Sequence, residues 1–231
     1  MPNLRPAPRG ALRGLARRVL AVAAVGAVSG CHVVAGTPTW PGATLAGAAL
    51  SEADFPDGPR FARIEDDPGA PDGAGEAPSM LTRPQGCSNG LTNVIAASAE
   101  RGPGSGLKYE VRYNGARIVM ALLSWNLDLD ELASTAKRCE HFFVLFDPAA
   151  KGIPMTTTAL PTDREDELLY RQTMTLDAVD ADVYMGFANV GGRGLFGVAF
   201  PLPDTEITAT ADLPQTFLEI FGRQTDRMRA A

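Results

Sequence analysis

The sequence predicts an α+β fold, a mainly antiparallel sheet of about six to seven strands with helices packed on one face. A strictly alternating stretch that ends at Asn114-Gly115 indicates a β-hairpin. Four more strand-like stretches follow one another with short links, which is typical of antiparallel neighbours. Three stretches with apolar residues at helical spacing supply the helices.

The first thirty residues have the layout of a secretory signal peptide. Five arginines, and no acidic residue, precede an uncharged run of small apolar residues from Val19 to Val28. As a helix this run rises about 1.5 Å per residue, so it reaches only about half of a hydrocarbon core of roughly 30 Å. The sequence therefore predicts a cleaved signal over residues 1–30. The paired Arg17 and Arg18 leave general secretion and twin-arginine export both open.

The end of this run, Val28-Ser29-Gly30-Cys31, resembles the lipobox of bacterial lipoproteins. The resemblance implies that Cys31 becomes the first residue of the mature chain and carries acyl chains such as palmitate. Each buried methylene adds about 0.8 kcal/mol of membrane affinity, so two or three chains hold the protein at the extracytoplasmic face of the cell membrane. The alternative is an ordinary cleavable signal that leaves Cys31 as a stray thiol.

The charge balance limits the classes of binding partner that suit this protein. Without the five leader arginines, the chain carries 16 basic and 27 acidic residues, a net charge of −11. A body this acidic is a poor candidate for nucleic acid or for an anionic membrane surface. The acyl chains on Cys31, rather than a basic patch, would hold it at the membrane.

The chain has three cysteines, an odd number that requires an explanation in an exported protein. If Cys31 is acylated, Cys87 and Cys139 remain as a pair for an oxidising compartment. Two free thiols or a metal site are the weaker alternatives, because no Cys-x-x-Cys spacing exists and His141 is the only histidine in the body. The sequence predicts a Cys87–Cys139 disulfide.

The stretch from Cys31 to Ala49 is rich in Gly, Ala, Thr and Pro and has no periodic apolar face. It predicts a flexible tether over residues 31–49, followed by one domain over residues 50–231. At the start of that domain, Ser51 is placed to cap a short helical turn, and residues 60–65 predict a weak strand.

A helix is predicted from Cys87 to Glu100, because its apolar and small residues recur on one stripe. The hairpin follows: residues 107–113 alternate strictly, Asn114-Gly115 favours a tight primed turn, and residues 116–125 return. Asp128 then caps a second helix that runs to about Glu140. Both cysteines fall on the apolar stripes of these helices, so two helices side by side on the sheet would bring them together.

The second half predicts a β-meander and a last helix. Residues 141–146 are compatible with a strand or with a continuation of the preceding helix. The last helix begins at Asp212 or Leu213, with Pro214 in its first turn and Phe217, Leu218, Phe221 and Met228 inward. The four meander strands are residues 155–160, 168–176, 183–190 and 195–200.

These features together resemble actinobacterial envelope lipoproteins of unknown function. The features are the lipobox, the tether, a cysteine near the start of a first helix and another at the end of a later one. Such proteins are distantly similar to the external sensor domain of a mycobacterial serine/threonine kinase and to lipoproteins with a PsbP-like fold. The resemblance implies a surface-tethered binding or sensing module with no catalytic residues to transfer.

Catalytic motifs are weak in this chain. Nucleophilic catalysis needs a base near Ser or Cys, and His141, beside Phe142 and Phe143, is better interpreted as a semi-buried structural histidine. Gly191–Gly194 predicts a hairpin turn rather than a phosphate cradle. The alternative is a cell-envelope hydrolase that uses His141 or two carboxylates. The acidic clusters, which predict turns rather than a Ca²⁺ loop, are Asp163, Glu165, Asp166 and Glu167, and Asp177, Asp180 and Asp182.

The sequence therefore predicts a lipid-anchored, non-catalytic module that binds a lipid, a glycan or an envelope protein, with no metal and no cofactor. Strand aromatics are candidates to line an apolar pocket, although the same residues also suit a core between sheet and helices. They are Tyr109, Tyr113, Trp125 and Tyr184, with Tyr170, Phe187 and Phe196 beside them.

Overall fold

The structure is a computed structural model. It describes residues 41–55, 60–64, 80–98, 104–113, 115–202 and 208–231, with only the backbone of residues 208–212. These residues belong to one compact unit, Thr39–Ala231. The signal peptide, Cys31 and residues 32–40 of the predicted tether lie outside the described residues.

The α+β class with one antiparallel sheet is confirmed, but the sheet has nine strands rather than six to seven. The additional elements are short: β2 has three residues, too few for the alternation that reveals a strand. Residues 141–145 form a strand, which resolves the ambiguity left by periodicity. In chain order the elements are α1 (Pro41–Ala48), a 3-10 turn (Glu52–Asp54), β1 (Arg60–Ile64), β2 (Leu81–Arg83), α2 (Gly90–Ala97), β3 (Gly106–Tyr113), β4 (Ala116–Leu123), α3 (Leu129–Arg138), β5 (His141–Leu145), β6 (Ile153–Leu160), β7 (Glu167–Leu176), β8 (Val179–Val190), β9 (Arg193–Pro201) and α4 (Thr208–Ala230).

The strands lie in the order β1-β3-β4-β9-β8-β7-β6-β5-β2, and all neighbours are antiparallel. The predicted hairpin is confirmed, with Tyr113 opposite Ala116. The predicted meander is also confirmed, since β6 to β9 are successive neighbours. Its last turn holds Gly191 and Gly192 at φ values of 58° and 80°, a region that glycine adopts without strain.

Helices cover both faces of the sheet, so the prediction of helices on one face is wrong. In β8, Tyr184 and Ala188 belong to the core under α1 and α4, whereas Met185 and Phe187 belong to the core under α2 and α3. Consecutive residues of a strand point to opposite faces. Because β8 and β9 carry apolar residues at consecutive positions, both of their faces need cover.

The first core forms where α4 crosses the middle of the sheet. Phe221 packs on two glycines in neighbouring strands, Gly186 and Gly197, which leave room for its ring. The helix begins at Thr208, earlier than predicted, so Pro214 lies inside it. Leu218, expected inward, is 38% exposed, and Ile220 is buried in its place.

Gln224 of α4 fixes α1 to this core. Its side-chain amide donates to the Ala48 carbonyl at 2.9 Å, and its carbonyl accepts from the Leu50 amide at 3.0 Å and the Tyr109 hydroxyl at 2.7 Å. Leu45 and Ala48 of α1 are buried. Residues 41–49 are thus part of the folded domain, and the prediction of a tether is wrong for them. Their Gly and Ala residues resemble a linker in the sequence, but small side chains also allow α1 to pack closely against α4.

The Phe221 contact predicts opposite effects for two glycine substitutions. In Gly186→Ala the new Cβ would lie 2.7 Å from a ring carbon of Phe221, so we expect unfolding to become easier by about 1–3 kcal/mol. Gly222→Ala, one residue along α4 from Phe221, meets nothing within 4 Å and should stabilise the helix by about 0.5–1 kcal/mol. Urea unfolding measures both. Equal effects would contradict the packing.

Candidate functional site

A disulfide joins the two helices on the second face of the sheet. Cys87, just before α2, is bonded to Cys139, just after α3, with Cα atoms 5.6 Å apart. Both residues are buried and form a small apolar cluster with Phe142 of β5. The bridge predicted from the sequence is thus formed, in place of two free thiols or a metal site.

The bridge sets α2 and α3 against each other at close range. Gly90, the first residue of α2, faces Thr135, and a Cβ there would lie 3.1 Å from the Thr135 methyl group. The Asp128 side chain accepts from the Glu131 amide at 2.9 Å, which caps α3 as predicted. Both helices are shorter than predicted, because α2 begins after Cys87 and α3 ends before Cys139.

An open groove of about 390 Å³ lies between α2 and α3. This volume is within the range of small-molecule sites, about 300–1,000 Å³. Carboxylates from the start of α3 lie at one end, and Arg138 from its last turn lies at the other, donating to the Gln85 carbonyl at 3.4 Å. The lining residues are Gly86, Gly90, Asn93, Val94, Ala97, Ser98, Asp128, Glu131, Thr135 and Arg138.

A smaller cavity of about 40 Å³ lies next to the bridge, between the start of α2 and the sheet. Thr157 and Gln172 line it from β6 and β7, and the Gln172 amide donates to the Thr157 hydroxyl at 3.3 Å. Its size rules out a ligand larger than a few atoms. The groove is therefore the better candidate site.

The aromatics that the sequence proposed as pocket lining lie in the core instead. Tyr109 is fully buried, its hydroxyl donates to Gln224, and burial raises its pKa. Tyr184 is buried under α4, while Tyr113 and Trp125 pack against the two cores from their margins. None of the four lines the groove or the small cavity. Of the two interpretations that the sequence allows, pocket lining and core, the structure favours the core for Tyr109 and Tyr184, because strand alternation places both rings under helices.

His141 is exposed rather than semi-buried. Its side chain is 75% accessible, and its Nε2 lies 3.9 Å from a carboxylate oxygen of Glu140. The residue alternates with the buried Phe142, which explains the exposure. The prediction that the protein is not an enzyme stays a prediction.

Several of the acidic loop residues have structural partners. Glu167 is buried and accepts from the Thr162 hydroxyl at 2.8 Å, and Asp166 lies 3.5 Å from Arg229 of α4. On the β7–β8 hairpin, the Thr173 and Thr175 hydroxyls donate to Asp182 and Asp180 at 2.6 and 2.7 Å. Within the part of the chain that the structure describes, no group of three or more His, Cys, Asp or Glu side chains is placed to hold a metal ion.

Of the groove residues, the sequence pattern singles out Asp128 alone, as a helix cap, although a signal for others is present. Asp128, Glu131, Thr135 and Arg138 recur at offsets of three, four and three, which places them on one stripe of α3 beside Cys139. The same polar stripe would also be present on a helix face that is simply exposed to solvent. Only the position of α2 distinguishes the two.

No protein-family model matches the chain, and no curated protein matches it in sequence. Among the solved structures that align with the chain are two from mycobacteria. An uncharacterised protein from Mycobacterium smegmatis, the Rv0999 ortholog, aligns with a TM-score of 0.42 and 13% identity over 77% of this chain and 92% of its own. The extracellular domain of PknH from Mycobacterium tuberculosis aligns with a TM-score of 0.45 and 11% identity over 85% of this chain and all of its own.

At these TM-scores neither likeness supports an inference about a ligand. Among the described helices, none is long and apolar enough to cross a membrane.

The bridge predicts a measurable stability difference. The bonded cysteines are 52 residues apart, so opening the loop in Cys87→Ser/Cys139→Ser should cost up to about 4 kcal/mol of unfolding free energy in the chain-entropy model. Urea unfolding with and without reductant measures this. Reductant should lower the midpoint of the natural chain and leave the double variant unchanged. A natural chain that is insensitive to full reduction would contradict the bridge.

Proposed function

We propose that this protein is a lipid-anchored module on the extracytoplasmic face of the cell membrane, which binds or senses a small ligand in the groove between α2 and α3. The observation that carries the proposal is the groove itself, about 390 Å³ in volume and framed by two helices whose ends are joined by a disulfide. A bridged frame is preorganised, which reduces the ordering cost of binding.

Two features support the location. The Val28–Cys31 motif follows a basic leader and a short apolar run, which favours acylation at Cys31. A buried structural disulfide is typical of proteins that fold outside the reducing cytosol. The net charge of −11 in the mature chain makes nucleic acid an unsuitable partner.

The groove is better suited to binding than to catalysis. Its lining combines small apolar residues with a few polar and charged groups, the usual composition of a recognition site. His141 does not line it, and the Asp128 carboxylate is already engaged as the cap of α3. A hydrolase that uses Asp128 and Glu131 as a carboxylate pair would have to give up that cap.

The anchor predicts a specific mass. Protein extracted from membranes should begin at Cys31, carry acyl chains, and weigh two hydrogens less than the reduced chain because of the bridge. Intact-mass analysis before and after reduction measures all three. A soluble product that begins at another residue would refute the anchor and leave the groove to be tested separately.

The groove predicts different effects for two neighbouring alanines of α2. Ala97 and Ala96 are both exposed, but only Ala97 lines the groove. Ala97→Trp should fill it and reduce the small molecules released when the membrane-extracted protein is denatured, whereas Ala96→Trp should release as much as the natural chain. Mass spectrometry of the released molecules measures this. Equal recovery from both variants, or no release from the natural chain, would contradict the groove as the site.

A further inference from the structure

Exposed apolar side chains gather at one end of the sheet. The described chain has six large hydrophobic residues that are strongly exposed, and five of them lie at the end of the sheet that holds the β7–β8 turn, whereas the sixth, Leu218, lies on α4. We call these five the apolar rim. They are Leu81 (51% exposed), Phe143 (46%), Phe146 (77%), Leu176 (49%) and Val179 (68%).

The strand register brings the rim together. Leu176 is opposite Val179 in the β7–β8 hairpin, and Leu81 of β2 is opposite Leu145, next to Phe146. Between these strands lie β5 and β6, where Val144 is opposite Ile153 and both are half-buried. Leu176, Val179, Ile153 and Val144 share one face of the sheet, whereas Leu81 and Phe143 point to the other, so this end of the sheet carries exposed apolar side chains on both of its faces.

The β7–β8 hairpin projects beyond the neighbouring strand. Tyr184 of β8 is opposite Ala199 of β9. Toward the hairpin turn, β9 continues for two residues beyond Ala199, whereas β8 continues for five beyond Tyr184, to Val179. The difference of three residues corresponds to about 10 Å of strand. On the other side, β6 reaches Ile153, level with Leu176, so the hairpin extends past β9 but not past β6.

The two faces of this hairpin differ in polarity. Leu176 and Val179 share one face, and Asp180 and Asp182 point to the other, where they accept from threonine hydroxyls. Interfacial segments show this division, with an apolar side 5–10 Å deep at the boundary of headgroups and acyl chains. The carboxylates of this face would stay in water.

We infer that the apolar rim rests in the lipid surface to which the chain is anchored. This inference depends on the proposed anchor at Cys31. Pro41, the start of the described domain, is only ten positions after Cys31, so the extended chain between them reaches at most about 36 Å. At that distance a weak apolar contact forms repeatedly with the same bilayer, because tethering replaces a bimolecular encounter by an intramolecular one.

The charges next to the rim specify the kind of lipid. Asp147 follows Phe146 and Asp177 lies in the hairpin turn, while Lys151 and Arg83 are exposed at the same end of the sheet, so the charges next to the rim balance. The mature chain as a whole carries −11. The rim therefore suits neutral or zwitterionic headgroups, and anionic lipid should weaken the contact.

The test uses the full acylated chain reconstituted in phosphatidylcholine vesicles. A fluorescent label is attached to Phe146→Cys and, as a matched control, to Leu218→Cys, the exposed apolar position outside the rim. With Cys31 acylated and Cys87 bonded to Cys139, the introduced thiol is the reactive one. Quenching by nitroxide-bearing phosphatidylcholine measures lipid contact, and we expect it to be several-fold greater at position 146 than at position 218, and to fall when anionic lipid is added.

Equal quenching at the two positions would overturn the inference. So would a label at position 146 that is unquenched in vesicles but shielded in native membranes, because that pattern identifies a protein partner. The intact mass of the same preparation reports the anchor independently. If no acyl chain is present, the proposed function fails in its location, and quenching by added vesicles still decides whether the rim contacts lipid.

Discussion

The pairing of β4 with β9 is the contact on which the rest of the structure depends. Eight residue pairs, from Ala116 opposite Pro201 to Leu123 opposite Gly194, join the early hairpin to the late meander. Without it the two halves would be separate small sheets with long exposed edges. The pairing also places β9 and β8 at the centre, where both faces are apolar, and that requires a helical layer on each side.

The two layers are held by different physical means. On one face, α4 is fixed by apolar packing of Phe221 on two glycines and by the buried amide of Gln224, whose hydrogen bonds connect α1 and β3. On the other face, α2 has only eight residues and α3 ten, and both leave a groove open between them. There the Cys87–Cys139 bridge replaces packing area by a covalent constraint. The candidate groove therefore lies in the layer of α2 and α3, whose position on the sheet depends less on apolar packing than that of α1 and α4.

The candidate site was only partly accessible to sequence reasoning. Cysteine count and helical spacing were enough to pair Cys87 with Cys139, and the structure forms that bond. The groove beside it was missed, because Asp128, Glu131 and Arg138 also satisfy the preference for acidic residues at the start of a helix and basic residues at its end. Conversely, the sequence leaves Tyr109 and Tyr184 open between a pocket and a core, because aromatic residues suit both, and only the structure places them in the core.

What the sequence by itself determined is local: the hairpin at Asn114-Gly115, the meander, and the cap of α3 by Asp128. Each depends on residues a few positions apart, whose turn and pairing preferences act without the rest of the chain. Only the tertiary structure decided the number of strands, the division of helices between two faces and the burial of α1. These depend on which distant segments meet, as β4 meets β9 and Gln224 meets Ala48, and burial against a distant partner leaves no periodic mark in either segment.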